Sequence, residues 1–348
     1  MTMIMTRIIT MLFAISLLFT VSCRNDDPIA EIPEGGYENG FLVANEGNFG
    51  TPTAGISYIS KDLSKIENNV FSSVNSGSPL GDVLQNIGFQ ENKAYFVLNN
   101  SNKIVIADRY SMKKETEITT EINQPKFIAF ANNRIYVTND AFGGDKYLSV
   151  YNISDQSFVK KITFTDAADR VVEAGGKIFV QNASFGFGNK ITVIETSGNT
   201  VAYTITIPFG QITETIAHSG SVFIIAAAGP DSYLYQYTPA GTLVKIEYLS
   251  GLSNARNLNI EGSNFYFTNG NKIYRMSMTA TMGPGTPLIT VTDNSFSTLY
   301  GMNVLDGKIF TSDANGFTAD SKISVYSTSG TLLKTFEGGR GTNGFYAN

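Results

Sequence analysis

Residues able to carry acid–base or nucleophilic chemistry are scarce in this 348-residue chain, which has one histidine and one cysteine. His218 lies in "TIAHSGS", a stretch that reads as a surface turn. Neither a Ser-His-Asp nor a Cys-His set can be assembled around it. No spacing suits a zinc site. "DANGFTAD" (Asp313–Asp320) places two carboxylates and an amide near a glycine, the outline of a calcium turn. It departs from the EF-hand loop and lacks the distal glutamate. Asp140 and Asp145 are a carboxylate pair of the type that moves protons, but nothing in their spacing singles them out. The expectation is a protein that is not an enzyme and holds neither metal nor cofactor.

Binding chemistry is better represented. Amides and carboxylates recur at Asn45, Asn99, Asn139, Asp140, Gln181, Asn182, Asn269 and Asp313. Phenylalanines follow them in glycine-rich stretches: Phe49 in "NEGNFG", Phe142 in "NDAFGGD", Phe185 and Phe187 in "NASFGFG", and Phe317 in "DANGFT". Two readings fit the amides, turn capping through their own backbone or presentation to a ligand. The rings either fold onto the protein or form the flat apolar contacts of a binding site. Tyr300 precedes the strand nearest Asp313 and joins the candidate set.

The elements that must position these groups are strands. A turn followed by a short aromatic and β-branched run recurs in "ENKAYFVLNN", "NNRIYVTND", "GGKIFVQN", "SGSVFIIAA", "GSNFYFTNG" and "DGKIFTSD". Their aromatic anchors are Tyr95, Tyr136, Phe179, Phe223, Tyr266 and Phe310, at intervals of 41, 43, 44, 43 and 44 residues. Each has a strand before it, such as "KFIAFA" or "GMNVL", and two after it. Four antiparallel strands per repeat of this length define a β-propeller blade. Six blades are complete. Residues 41–45, 55–60 and 66–71 supply strands two, three and four of a seventh, and "GFYAN" at 344–348 supplies its first strand. The fold class is therefore all-β, a seven-bladed propeller shut by pairing of the chain's two ends. A linear solenoid is the rival, but it needs polar caps that neither end shows. In a closed ring the exits of strand two and the entries to strand one share a face, where the amides and phenylalanines gather.

The start of the chain predicts where the ring is held. "MTMIMTRIITMLFAISLLFTVSC" has one positive charge, Arg7, and an apolar run ending at Ser22 and Cys23, so residues 1–22 read as a signal peptide. Small residues before Cys23 match a lipoprotein cleavage site, with Cys23 as the lipidated residue; an ordinary secretory signal is the alternative. Asp26-Asp27 just beyond suggest display on the outer surface of the outer membrane. Residues 23–39, with "PIAEIPEGG", read as a tether, and 40–348 as the propeller. Without the signal peptide 24 basic and 30 acidic side chains remain, and no basic block is present, which argues against nucleic acid. With Cys23 lipidated no disulfide is possible, so stability rests on burial.

The stretches "ANEGNFG" (Ala44–Gly50), "LGDVLQNI" (Leu80–Ile87), "NNSNKIVIAD" (Asn99–Asp108) and "YGMNVLDGKIFTSDANGF" (Tyr300–Phe317) resemble the YncE-like, DUF5074 surface propeller lipoproteins, and within them the BtuG cobalamin-binding lipoproteins. The resemblance implies a seven-bladed propeller that captures cobalamin or a related corrinoid for a TonB-dependent outer-membrane transporter. It carries the ligand role to Asn45, Asn48, Asn99, Asn102 and Asn139. The alternative is a protein-interaction or adhesion scaffold at the cell surface.

Overall fold

The computed structural model describes residues 35–348, so the signal peptide, Cys23 and the tether up to residue 34 lie outside the described residues. Twenty-eight strands form seven four-stranded antiparallel sheets. Blades 2 to 7 span 84–118, 125–164, 171–206, 211–249, 256–290 and 301–337, each running in sequence from the innermost strand to the outermost. Blade 1 is composite. Its innermost strand is Thr342–Ala347, followed by Gly40–Asn45, Gly55–Ser60 and Ile66–Glu67. The second strand of each blade is a near-continuous buried run, because neighbouring blades cover it on both faces. The six anchors Tyr95, Tyr136, Phe179, Phe223, Tyr266 and Phe310 are all buried. Apolar side chains collect into seven clusters, one between each pair of neighbouring blades.

Closure is antiparallel and in register, with Leu42 opposite Tyr346 and Val43 opposite Phe345. The seam continues past the strands. Glu46 N–H donates to the Gly341 carbonyl at 3.1 Å, Gly47 N–H to Arg340 at 3.0 Å, and Asn348 N–H to Gly40 at 2.9 Å. Phe345 packs against Phe310 of blade 7, their centroids 5.4 Å apart.

A second set of bonds runs around the inner strands from blade to blade. Asn86 accepts from Ile128 N–H at 3.2 Å, Glu214 from Leu258 N–H at 2.7 Å, Asn259 from Val304 N–H at 3.2 Å and Asn303 from Phe345 N–H at 2.9 Å. The Tyr346 hydroxyl accepts from Ile87 N–H at 3.3 Å, which joins blade 1 to blade 2.

Two expectations are corrected. The outermost strand of blade 1, expected over 66–71, stops at Glu67, and Val70–Val74 form a short helix instead. Asn69 takes a left-handed conformation at φ 59°, which ends the strand, and Phe71 turns inward to meet Phe96 of blade 2 edge-on at 5.9 Å. The tether, expected to run to residue 39, is fastened earlier. Tyr37 is buried against Tyr58, donates its hydroxyl to Glu67 at 2.9 Å and its N–H to the Tyr110 carbonyl at 3.0 Å. Its carbonyl also accepts from the Asn348 amide at 2.7 Å. Among the described residues no helix is long and apolar enough to cross a membrane.

Truncating Phe345 removes a buried ring at the seam, and Phe345→Ala is expected to lower stability by about 3–5 kcal/mol in urea unfolding. Phe142→Ser, on a fully exposed ring, should stay within about 0.5 kcal/mol of the parent. Equal effects would mean that the closing strand contributes no more than a surface loop.

Candidate functional site

The loops joining strand two to three and strand four to the next blade's strand one share one face of the ring, here the upper face. Its centre is formed by a backbone irregularity repeated in every blade. The pairing of strands one and two slips near its upper end at Asn343 in blade 1, Gln85 in blade 2, Lys126-Phe127 in blade 3, Thr213 in blade 5 and Asn257-Leu258 in blade 6. In blade 4 both Asp169 and Arg170 bond to Gln181, and in blade 7 both Tyr300 and Gly301 lie opposite Ser312. A bulge leaves one residue unpaired and re-aims its side chain. The result is a cavity of about 300 Å³ at the channel mouth, lined by Glu46, Phe127, Arg170, Glu214, Asn257, Tyr300 and Asn343 among others.

The mouth is charged. Glu46 accepts from the Tyr300 hydroxyl at 2.8 Å and the Asn343 amide at 3.0 Å. Burial pushes its carboxyl above the usual carboxylate range, and those two hydrogen bonds oppose the rise. Burial and the Glu46 charge push the Tyr300 hydroxyl far up. The Arg170 guanidinium meets Glu214 at 3.0 Å and lies 4.5 Å from the Phe127 ring centre, a cation–π contact. Burial raises Asp169 to about 6, against the pull of Arg170 and Lys126. Among the described residues no cluster of His, Cys, Asp or Glu is arranged to hold a metal.

The expected amides divide: Asn45 and Asn139 are buried and Asn99 is half-buried, whereas Asn48 and Asn102 are exposed. Asn45 is buried, accepting from Gly339 N–H and the Thr342 hydroxyl and donating to Ser57. Asn139 accepts from Asn123 N–H and donates to Ser149. Asn99 donates to the Pro125 carbonyl, and Asn102 accepts from Gln124 N–H. Asn269 accepts from Asn254 N–H. These are one device used repeatedly: the amide at the end of strand two, or just past it, holds the segment that enters a strand one. Asn48 is exposed and accepts from Arg340 at 3.0 Å. Asp313 accepts from Ser297 and from Asn315 N–H in its own loop. The carboxylates at 140 and 145 are apart in role, Asp140 paired with Lys146 and Asp145 with Lys161.

The three family-like motifs of blades 1 and 2 are stitched together. Asp82 of "LGDV" accepts from Gly50 N–H of "NEGNFG" at 3.0 Å and from Asn100 of "NNSNK" at 2.5 Å, while its own N–H donates to Ser101 at 2.8 Å. Gly47 in the first motif has φ 82°, and a Cβ there would stand 2.5 Å from the backbone of Thr53 and Ala54. Only glycine fits.

The aromatics behave differently. Phe49, Phe142, Phe185 and Phe187 are 80%, 100%, 88% and 78% exposed. Phe209 and Phe296, which sequence reading did not single out, are also exposed, and they sit in strand-four-to-one connections on the same face. Phe317 is half-buried, edge-on to Tyr300 at 4.9 Å and stacked with Phe296 at 6.1 Å, which links the outer rings to the mouth. On the opposite face, among the described residues, the one exposed phenylalanine is Phe158, 38% exposed at the start of a strand four and edge-on to Tyr151 at 5.9 Å. His218 ends a strand there, edge-on to Phe223.

Of the mouth residues, Tyr300 was among the candidates, and the others carry no amide-at-strand-end signal. Their signal was the repeat itself: Gln85, Phe127, Arg170, Glu214, Asn257, Tyr300 and Asn343 follow one another at 42 to 44 residues.

Fold and site together define a closed seven-bladed propeller with a polar, charged mouth inside a ring of exposed phenylalanines. The chain belongs to the DUF5074 family, a domain of unknown function whose pattern matches residues 39–343. Among curated proteins none matches it. Similar solved structures include a quinonprotein alcohol dehydrogenase-like protein from Bacteroides thetaiotaomicron, 15% identical over 90% of this chain and 79% of that one, with a TM-score of 0.71. The dihydro-heme d1 dehydrogenase NirN in complex with DHE is 11% identical over 92% and 78%, with a TM-score of 0.55. BamB from Moraxella catarrhalis is 11% identical over 89% and 86%, with a TM-score of 0.53. At these identities the likeness is one of fold.

The raised Asp169 gives a pH test. Well below the ordinary value of 3.8 the carboxyl is protonated in the folded and unfolded chain alike, and it has no effect on stability. As pH rises from there towards about 6 the unfolded chain releases the proton first, so stability falls, and above that the penalty is complete. Asp169→Asn should match the parent in the acid range below the ordinary carboxyl value and be more stable by about 1–3 kcal/mol at pH 7. Denaturant unfolding at both pH values measures it, and a pH-independent difference would place the carboxyl in ordinary solvent.

Proposed function

We propose that this protein is a non-enzymatic, lipid-anchored capture protein at the cell surface, and that its upper face holds cobalamin or a related corrinoid for transfer to a TonB-dependent outer-membrane transporter. The observation that carries this reading is the gathering of six exposed phenylalanines, Phe49, Phe142, Phe185, Phe187, Phe209 and Phe296, on the face that holds a polar mouth. Exposed aromatic rings lower their free energy only when something covers them. A ligand with a broad apolar face and polar edge groups would cover the rings and pair with the mouth at once. The corrinoid assignment is supported by the family-like motifs, whose Asp82 network fixes the loop bearing Glu46 and Phe49. Cys23, the anchor in this reading, lies before the tether.

A second reading, a scaffold for another protein, is favoured by the spread of the rings over blades 1, 3 and 4, which a protein surface would also cover. Calorimetric titration of the purified protein with cyanocobalamin separates the two. Saturable heat is expected, and the double variant Phe185→Ser/Phe187→Ser should weaken binding about tenfold or more. Absence of heat at micromolar protein would retire the corrinoid. Retention of a surface protein without corrinoid, lost in the same double variant, would then support the scaffold. Chelator-sensitive turnover of any added substrate would instead restore an enzymatic role.

A further inference from the structure

The early end of blade 1's outermost strand leaves an opening beside the seam. Between blade 1, the last turns of blade 7 and the loop at Pro79-Leu80 lies a groove of about 420 Å³, outside the channel mouth. Its floor includes Phe71, Leu80 and Pro79, and its walls carry Asn48, Asn68, Asn69, Thr53, Asp320 and Arg340. Asn68 and Asn69 are exposed, and the Asn69 side chain does not cap the helix it precedes.

Arg340 and Asp320 give this groove its chemistry. One guanidinium nitrogen of Arg340 (Nη1) donates to Asn48 Oδ1 at 3.0 Å and contacts the Phe317 carbonyl at 3.4 Å, which fixes the plane of the group. Its Nε is buried without a hydrogen-bond partner, and Asp320 Oδ1 stands 3.8 Å from it, beyond hydrogen-bonding length. The Asp320 side chain is half exposed. A fixed donor fork and an under-used carboxylate therefore lie side by side, with one positive and one negative charge, between exposed amides and proline and leucine carbon.

We propose that this seam groove is a second binding site, for a neutral polyhydroxylated ligand of the sugar class. Adjacent hydroxyls accept from the Arg340 guanidinium and donate to Asp320, and the amide of Asn69 bonds a further hydroxyl, while Asn68 is held in the wall by Ser57 and the Glu337 carbonyl. The apolar ring face of the sugar lies on the proline and leucine side. A charged ligand fits worse, because the wall charges cancel and either sign would meet an opposing like charge. The site rests on its own residues and does not depend on the corrinoid reading.

The test is saturation-transfer NMR on the whole protein with glucose, galactose, mannose and N-acetylglucosamine at millimolar concentration, alongside glucuronate as a charged probe. At least one neutral sugar should give transfer to its ring protons. Asp320→Asn should reduce its affinity about tenfold or more by removing a charged hydrogen-bond acceptor. Asp320 does not line the mouth, so the same variant should leave any cobalamin heat unchanged, which keeps the two sites' failures distinguishable. Arg340→Lys provides a second variant that keeps the charge and loses the fork, and it should also weaken the sugar. Transfer to none of the neutral sugars, preference for glucuronate, or equal binding by both variants and the parent would overturn the proposal.

Discussion

The antiparallel pairing of Thr342–Ala347 with Gly40–Asn45 is the interaction on which the rest depends. Each blade is a sheet with two apolar faces, and each face is stable only against a neighbour. Six of the seven apolar clusters lie between blades adjacent in sequence, but the cluster around Phe41, Phe310 and Phe345 exists only because the last strand returns to the first. Without that return, blade 1 lacks its innermost strand and leaves a row of backbone donors and acceptors open. Of the bonds passed from Asn86, Glu214, Asn259 and Asn303 to the next blade's backbone, the last ends on Phe345 of the closing strand, so closure completes the series.

Closure also explains the chemistry of the strand ends. Asn45 ties Gly339 and Thr342 to Ser57, so a polar residue in a buried position is fully bonded and holds the seam in register. The related ties made by Asn99, Asn102, Asn139 and Asn269 fix the entry of an inner strand. Much of the ring of strand-end amides is therefore internal bracing of the upper face, although Asn48 and Asn102 remain exposed. Around the mouth, the side chains left free to meet a partner are those thrown inward by the bulges and the phenylalanines thrown outward by the glycine-rich loops.

The ring was legible in the sequence because it depends on periodic apolar residues, and anchors such as Tyr95 and Phe310 occupy equivalent buried places. The closing strand could be read because blade 1 lacked a partner and "GFYAN" had none. The helix after Glu67 was not legible: "NNVF" has strand-like composition, and only the left-handed turn at Asn69 and the fit of Phe71 against Phe96 decide otherwise. The candidate site was half legible. Phenylalanines in glycine-rich loops pointed to exposure, and Phe49, Phe142, Phe185 and Phe187 are exposed. Asn45 and Asn139 misled because an amide at a strand end carries no sign of whether its partner is backbone or ligand. Arg170, Glu214 and Asn257 escaped notice because a bulge is a matter of register, which residue types do not reveal.

The seven bulges separate two jobs that most strands must combine. Below each slip, side chains interlock with neighbouring blades and tolerate little change of volume. At the slip the ladder is interrupted, so a residue's identity there is set largely by the mouth, although Glu214 still pairs with Ile225 and holds Leu258 N–H of the next blade. Phenylalanine, arginine, glutamate, asparagine and tyrosine all occupy equivalent places there in a single chain. A ring built this way is a fixed chassis with seven exchangeable fittings, and descendants could alter what they grip by rewriting one residue per blade while the frame stays as it is.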